Sequence, residues 1–239
     1  MNTEHIEIGD IPVDVIFKDI KNIHLSVHPP TGRVRISAPE RMNLETLRVY
    51  AISKLDWIRK QQTRLQGQAR ETRREYLDLE SHFVWGKRYL LAVCELPKTP
   101  SIQLKHKELV LTVRPGSDEQ KRADLLAAWH RNELRRVMAP MFEKWQAQLG
   151  VRANQVIVRR MKTKWGSCNP HTGNIHLNSE LAKKLPECLE YIIVHELVHL
   201  LEPTHNERFV ALMDQFMPQW RHRREELNRA PLGHVEWEY

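Results

Sequence analysis

Residues 186–205 read PECLEYIIVHELVHLLEPTH, and the rest of the chain is best understood from them outward. At their centre stands His195-Glu196-Leu197-Val198-His199. Residues four apart on an α-helix lie one turn above each other on the same face, so both imidazoles can grip one ion. His205 follows six residues after His199, beyond Pro203. Proline lacks a backbone donor and its ring clashes with the preceding turn, so the helix is expected to stop near Leu201 or Glu202. The chain can then fold back and bring His205 to the same ion. Three neutral nitrogens with one position left for water make a catalytic donor set rather than a structural one. Glu196, next to the first ligand, is placed to take a proton from that water.

The flanks support this reading. Ile192, Ile193, Val194, Leu197, Val198, Leu200 and Leu201 make the helix apolar nearly all round, which marks a central, buried helix. Two imidazoles and a carboxylate are costly there unless they are paired or bind a metal. One zinc ion per chain is therefore expected on His195, His199 and His205.

Upstream stand WGSC at residues 165–168 and GNIHLN at residues 173–178. With HELVHL and the downstream histidine, these runs resemble the YgjP-like metallopeptidase family of bacteria, a branch of the zincins. The similarity is strong from about residue 161 to residue 220 and extends in layout to the N-terminal half. It implies zinc on the three histidines, Glu196 as the catalytic base, and Trp165, Gly166 and Ser167 as part of the cleft wall. The ligand spacing also matches the metzincins, yet Glu202 stands where those carry glycine.

A chain of 239 residues has room for a sizeable core. Its three cysteines, Cys94, Cys168 and Cys188, are odd in number and lack Cys-x-x-Cys spacing, which argues against a disulfide framework or a zinc finger. A reducing cytoplasm is the expected compartment. No apolar run approaches the ~18 residues that span a bilayer, and the N-terminus lacks the pattern of a signal peptide. Membrane insertion and secretion are not expected. The formal charge is +7, with basic residues in clusters. Most such clusters are solvated helix faces. Arg159, Arg160, Lys162 and Lys164 lie just upstream of the cleft segment, where a positive field favours acidic or phosphorylated substrates.

In chain order, residues 4–37 alternate apolar and polar, a strand pattern, with a hairpin turn at Pro29-Pro30-Thr31-Gly32. Asn43 should cap one helix reaching about Leu65, its apolar stripe being Leu44, Leu47, Ile52, Leu55 and Ile58. Strands resume at residues 82–93, 101–104 and 109–113. Trp57, Trp85 and His106 are read there as core or surface residues. Ser117 or Asp118 then caps a long helix ending at Gly150, with Pro140 expected to kink it. A strand at residues 156–161, another at 175–177, the metal helix and two further helices complete the chain. No internal repeat is visible. The expected architecture is α+β: a zincin-like hydrolase domain at residues 117–239, with a long backing helix, a small sheet and the metal helix, after a β-rich part at residues 1–116.

The leading functional reading is a zinc-dependent metallopeptidase acting on a peptide or protein. An edge strand at residues 174–178 would hold the extended substrate by backbone hydrogen bonds, leaving Trp165 to shape a side-chain pocket. Cys168 and His176 are read as structural. Motif and fold do not choose a substrate, so a metal-dependent phosphohydrolase on nucleotides, using Arg159, Arg160 and Lys164, is the second reading. A nucleic-acid-associated protein whose basic faces meet phosphates is the third.

Overall fold

The computed structural model describes residues 3–28, 31–67, 74–161 and 164–229. It is a mixed α/β structure of three small sheets and six α-helices among these residues, and it divides into two compact units between residues 70 and 71.

In the first unit, β1 (Thr3–Ile8), β2 (Ile11–Lys18), β3 (His24–His28) and β4 (Arg33–Pro39) form a sheet in the order β1-β2-β4-β3, with β2 and β4 parallel. The expected hairpin is there, pairing Leu25 with Ile36 and Val27 with Val34, although Pro29 and Pro30 of its turn lie outside the described residues. Period-2 alternation buries Val13, Val15, Val34 and Ile36 on one face. That face meets Leu47, Ala51 and Ile58 of the helices.

Asn43 caps α1 (Leu44–Ser53) by accepting from the Thr46 amide at 2.8 Å. The single helix expected to reach Leu65 is broken at Lys54, whose amide turns back to the Ala51 carbonyl at 3.0 Å before α2 (Leu55–Gly67) begins. Ile52, expected in the apolar stripe, is 52% exposed. Leu47 and Ala51, one turn apart, hold the inward face, and Ile52 lies about 100° round the helix from Ala51.

The second unit opens with β5 (Ser81–Val84), β6 (Lys87–Glu95), β7 (Ser101–Leu104) and β8 (Glu108–Val113), in the order β5-β6-β8-β7 with β6 and β8 parallel. This is the topology of the first sheet again, a repeat that the sequence does not display. Sequence put the domain boundary at 116/117, whereas compactness groups this sheet with the metal helix. Two contacts account for the grouping. At the β5–β6 turn the amides of Trp85 and Gly86 donate to the Ala182 and Lys183 carbonyls at 2.9 and 3.2 Å. Leu126, from the long helix, completes the sheet core of Leu91, Leu109, Leu111 and Val113.

That helix, α3 (Glu119–Leu149), runs from an Asp118 cap to Gly150 in the left-handed conformation, with Pro140 inside it. A third sheet holds β9 (Gln155–Arg159), β10 (Gly166–Asn169) and β11 (Asn174–Asn178) in the order β10-β11-β9. Residues 174–178 are therefore the central strand, antiparallel to β10 and parallel to β9, and not the edge expected of them. Both sides of β11 are already hydrogen-bonded, so it has no ladder left for a substrate.

A 3-10 helix (Ser179–Lys183) leads to α4 (Pro186–Val198), which starts with proline in its first turn. Its apolar surround is buried as expected: Leu189, Ile193, Val194, Leu197 and Val198 are all fully covered. They share one core with Leu134, Phe142, Trp145 and Leu149 of α3 and Ile175 and Leu177 of β11. Glu190 ties the two helices at their rim, accepting from Lys144 at 2.8 Å and Trp145 at 2.9 Å. The last helices, α5 (Glu207–Phe216) and α6 (Trp220–Arg229), add Phe209, Met213, Trp220 and Leu227 to the same core.

Candidate metal centre

His195 sits in the last turn of α4 and His199 caps that helix with its backbone still helical (φ −65°, ψ −16°), so the four-residue spacing sets their rings 4.9 Å apart. The α-helix ends at Val198, a little before the expected stop, and a tighter turn continues it. The Leu200 amide donates to the Leu197 carbonyl at 3.0 Å, and those of Leu201 and Glu202 to the Val198 carbonyl at 2.9 Å. Pro203 ends this run.

Glu202 then organises the return. Its carboxylate accepts from the Thr204 amide at 3.3 Å and the Thr204 hydroxyl at 2.9 Å. Asn206 opens α5 by accepting from the Phe209 amide at 3.0 Å. Between these two anchors His205 comes back over α4, its ring 5.0 Å from that of His195 and 4.6 Å from that of His199. The Nε2 atoms of His195 and His205 stand 3.0 Å apart, and one donor atom from each of the three histidines lies within 4.8 Å of the others.

The protonation states suit a cation. The Nδ1 atom of His199 faces the Glu202 carbonyl oxygen at 3.1 Å, an acceptor only, so Nδ1 carries the hydrogen and Nε2 keeps its lone pair. Burial pushes the pKa of His195 down to about 3, helped by the neighbouring His199, His205 and Arg224 charges. Burial also lowers His199, against the pull of the Glu202 carbonyl. These two rings are neutral at neutral pH, as a metal ligand must be. Two neutral imidazoles and a third facing them, with no carboxylate in the cluster, fit a divalent ion that prefers nitrogen.

Glu196, between His195 and His199 in sequence, is 4% exposed. Burial pushes its carboxyl up to about 8, with the positive charge of Lys164 working in the other direction. It stands against β10. A Cβ on Gly166 would lie 2.5 Å from its Oε1, 2.8 Å from its Cγ and 2.9 Å from its Cδ. Cys168, two residues along the strand, is also close enough to feel it: burial first, then the Glu196 charge, push that thiol up to about 11. Such a thiol stays protonated, in keeping with a structural residue.

The other candidates are distributed as follows. Trp165 is half-buried against the core, with the Lys184 ammonium 5.7 Å from its ring centroid. Ser167 is half-buried opposite His176. Arg159 and Arg160 are exposed at the end of β9, the strand farthest from β10. The charge of Arg160 acts on Glu180 and Tyr76, whereas Lys164 is the cation that acts on Glu196 among the described residues. Lys162 lies outside the described residues.

Two contributors escaped sequence reasoning. Phe209, 2% exposed, packs its ring 4.7 to 5.0 Å from all three imidazoles and walls the cluster from the core side. Its signal was present, four residues after His205, in the first turn of the next helix. Asn178 holds the segment that leads into the cleft. Its amide nitrogen donates to the Met161 and Lys164 carbonyls at 2.8 and 2.9 Å, and its oxygen accepts from the Met161 and Glu180 amides at 3.3 and 3.2 Å.

A family model described as YgjP-like, metallopeptidase domain matches residues 21–230. The chain belongs to the YgjP-like metallopeptidase family. It is thus a metal-dependent hydrolase, and its family implies a divalent metal and a peptide or protein as substrate. Among solved structures it is similar to the metallopeptidase zymogen abylysin of Pyrococcus abyssi, with 22% identity over 37% of this chain and 89% of that one, at a TM-score of 0.35. The zymogen jannalysin of Methanocaldococcus jannaschii matches with 20% identity over 38% of this chain and 92% of that one, at a TM-score of 0.34. No curated protein matches the sequence. Among the described residues, no helix is long and apolar enough to cross a membrane.

Proposed function

We propose that the chain is a zinc-dependent peptidase of zincin type, in which His195, His199 and His205 hold one zinc ion and Glu196 is the general base. The observation that carries this reading is the convergence of three imidazole nitrogens within 4.8 Å, on the helix that also bears a buried glutamate. In zincin terms, α3 is the backing helix, the β9–β11 sheet borders the cleft, and α4 is the metal helix. When bound, the metal supplies a Lewis acid that polarises a carbonyl and acidifies water.

The remaining work falls to side chains of this protein. Glu196 takes the proton of the attacking water on its carboxylate and returns it to the leaving nitrogen, the ordinary exchange of a general base that becomes an acid. His199, held by the Glu202 carbonyl through Nδ1, keeps its ring orientation as metal ligands generally do. For the substrate, β10 replaces β11 as the docking strand. Among the described residues β10 has a strand neighbour on one side only, and its first residue touches Glu196. An extended peptide paired along that edge would run past the base.

Glu196→Gln is the test. In the full-length, zinc-loaded protein it should keep one zinc per chain and lose ~10² to 10⁴ in peptide turnover, since an amide cannot accept the proton. Full turnover in a zinc-replete variant would sink the mechanism.

A further inference from the structure

We propose that Gly166 is a positioning residue for Glu196: the side chain it lacks is the space in which the Glu196 carboxyl stands. This builds on the reading of Glu196 as the base.

Glycine at this position is not there for its backbone. Gly150 and Gly173 have φ of 65° and 67°, in the left-handed region that other residues avoid, whereas Gly166 is not among the positive-φ residues. Its φ lies outside the left-handed region that favours glycine. Space is what forbids one. The three atoms nearest a Cβ at Gly166 are Oε1, Cγ and Cδ of Glu196, at 2.5, 2.8 and 2.9 Å. Non-bonded carbons settle at about 3.5–4.0 Å, so a methyl group there must displace something.

Neither wall can yield easily. On one side Ile193 and Leu197 of α4 are fully buried in the main core. On the other, Gly166 is paired with Leu177 in the sheet, and the Trp165 carbonyl beside it accepts from the Asn178 amide at 2.9 Å. The Glu196 side chain is the part that must turn away, and turning it carries the carboxyl out of its present place. Side chains alternate along a strand, so Gly166 and Cys168 share the face turned to Glu196.

Gly166→Ala in the zinc-loaded full chain is expected to keep its zinc and its KM while kcat falls about 10²-fold, as for a displacement of about 1 Å in an oriented group. A stability cycle reads the same contact without any chemistry. Gly166→Ala should lower the Tm in the wild-type background and leave it unchanged in a Glu196→Ala background, where all three obstructing atoms are gone. If Gly166→Ala alone does not fold, recovery of folding by Glu196→Ala supports the proposal and lack of recovery overturns it. Equal Tm losses in both backgrounds, or kcat within twofold of wild type, also overturn it. Turnover retained by Glu196→Gln would instead remove the base from the reaction while the Tm cycle still reported the contact, so the two failures are distinguishable.

Discussion

Replacing His130 with Gln should make the stability of this protein less dependent on pH between about 6.5 and 4. His130 lies in α3 at 4% exposure, where the helix meets β5. Its Nδ1 is 2.9 Å from the Leu126 carbonyl oxygen and its Nε2 3.4 Å from that of Phe83. A neutral imidazole donates only once, and the shorter contact takes the hydrogen. Burial drives its pKa from 6.5 down to about 4, the Lys183 charge adds to this, and Glu180 and the two carbonyls oppose it. The unfolded chain thus takes up a proton near 6.5 that the folded chain refuses until about 4. Below the first value the unfolded state binds more protons, so stability falls as pH falls and levels off below the second. At about 1.4 kcal/mol per unit, the full loss is ~3 kcal/mol, of which ~2 kcal/mol arises between pH 6.5 and 5. Urea unfolding of metal-free wild type and His130→Gln at pH 7, 6 and 5 measures it. The gap in unfolding free energy between the two should shrink by ~2 kcal/mol from pH 7 to 5. His82, also lowered to about 4 by burial, stays in both proteins and cancels in the comparison. A gap that holds constant over the range would refute the argument.

Two further outcomes bear on the site. His205→Ala should lose zinc by elemental analysis while keeping its far-ultraviolet circular dichroism, because its ring lies over α4 and outside the buried core; full zinc content would show that another residue supplies the third donor. Replacing Arg159 and Arg160 together with Ala should leave cleavage of a neutral peptide within about twofold, since these side chains are exposed on the strand farthest from β10 and surface charges contribute little at a distance in salt. Loss of a Glu196-dependent release of phosphate from nucleotides, with no peptide cleavage by either protein, would favour the phosphohydrolase instead.

Most of the metal cluster was legible in the primary structure because it is built from short-range rules. Two imidazoles at four-residue spacing, a proline that stops the helix, and an Asn206 cap that starts the next one place His205 with little help from the rest of the chain. The caps at Asn43, Asp118 and Gly150 follow from equally local chemistry. Ile52 was misread because an apolar residue in a helix is consistent with more than one stripe, and only the partner surface picks the face that is buried.

The three clustered histidines, the glutamate beside the first of them and the buried character of their helix were legible in the sequence, since each depends on residues within a few turns of one another. Tertiary structure decided which strand is an edge, that the two N-terminal sheets repeat one topology, that Phe209 walls the cluster, and that Gly166 makes room for Glu196. Those facts depend on how separate elements pair and pack against one another, not on spacing within one helix or strand. Strand alternation shows which side of a strand faces the core, but it carries no information about which neighbour fills its hydrogen bonds.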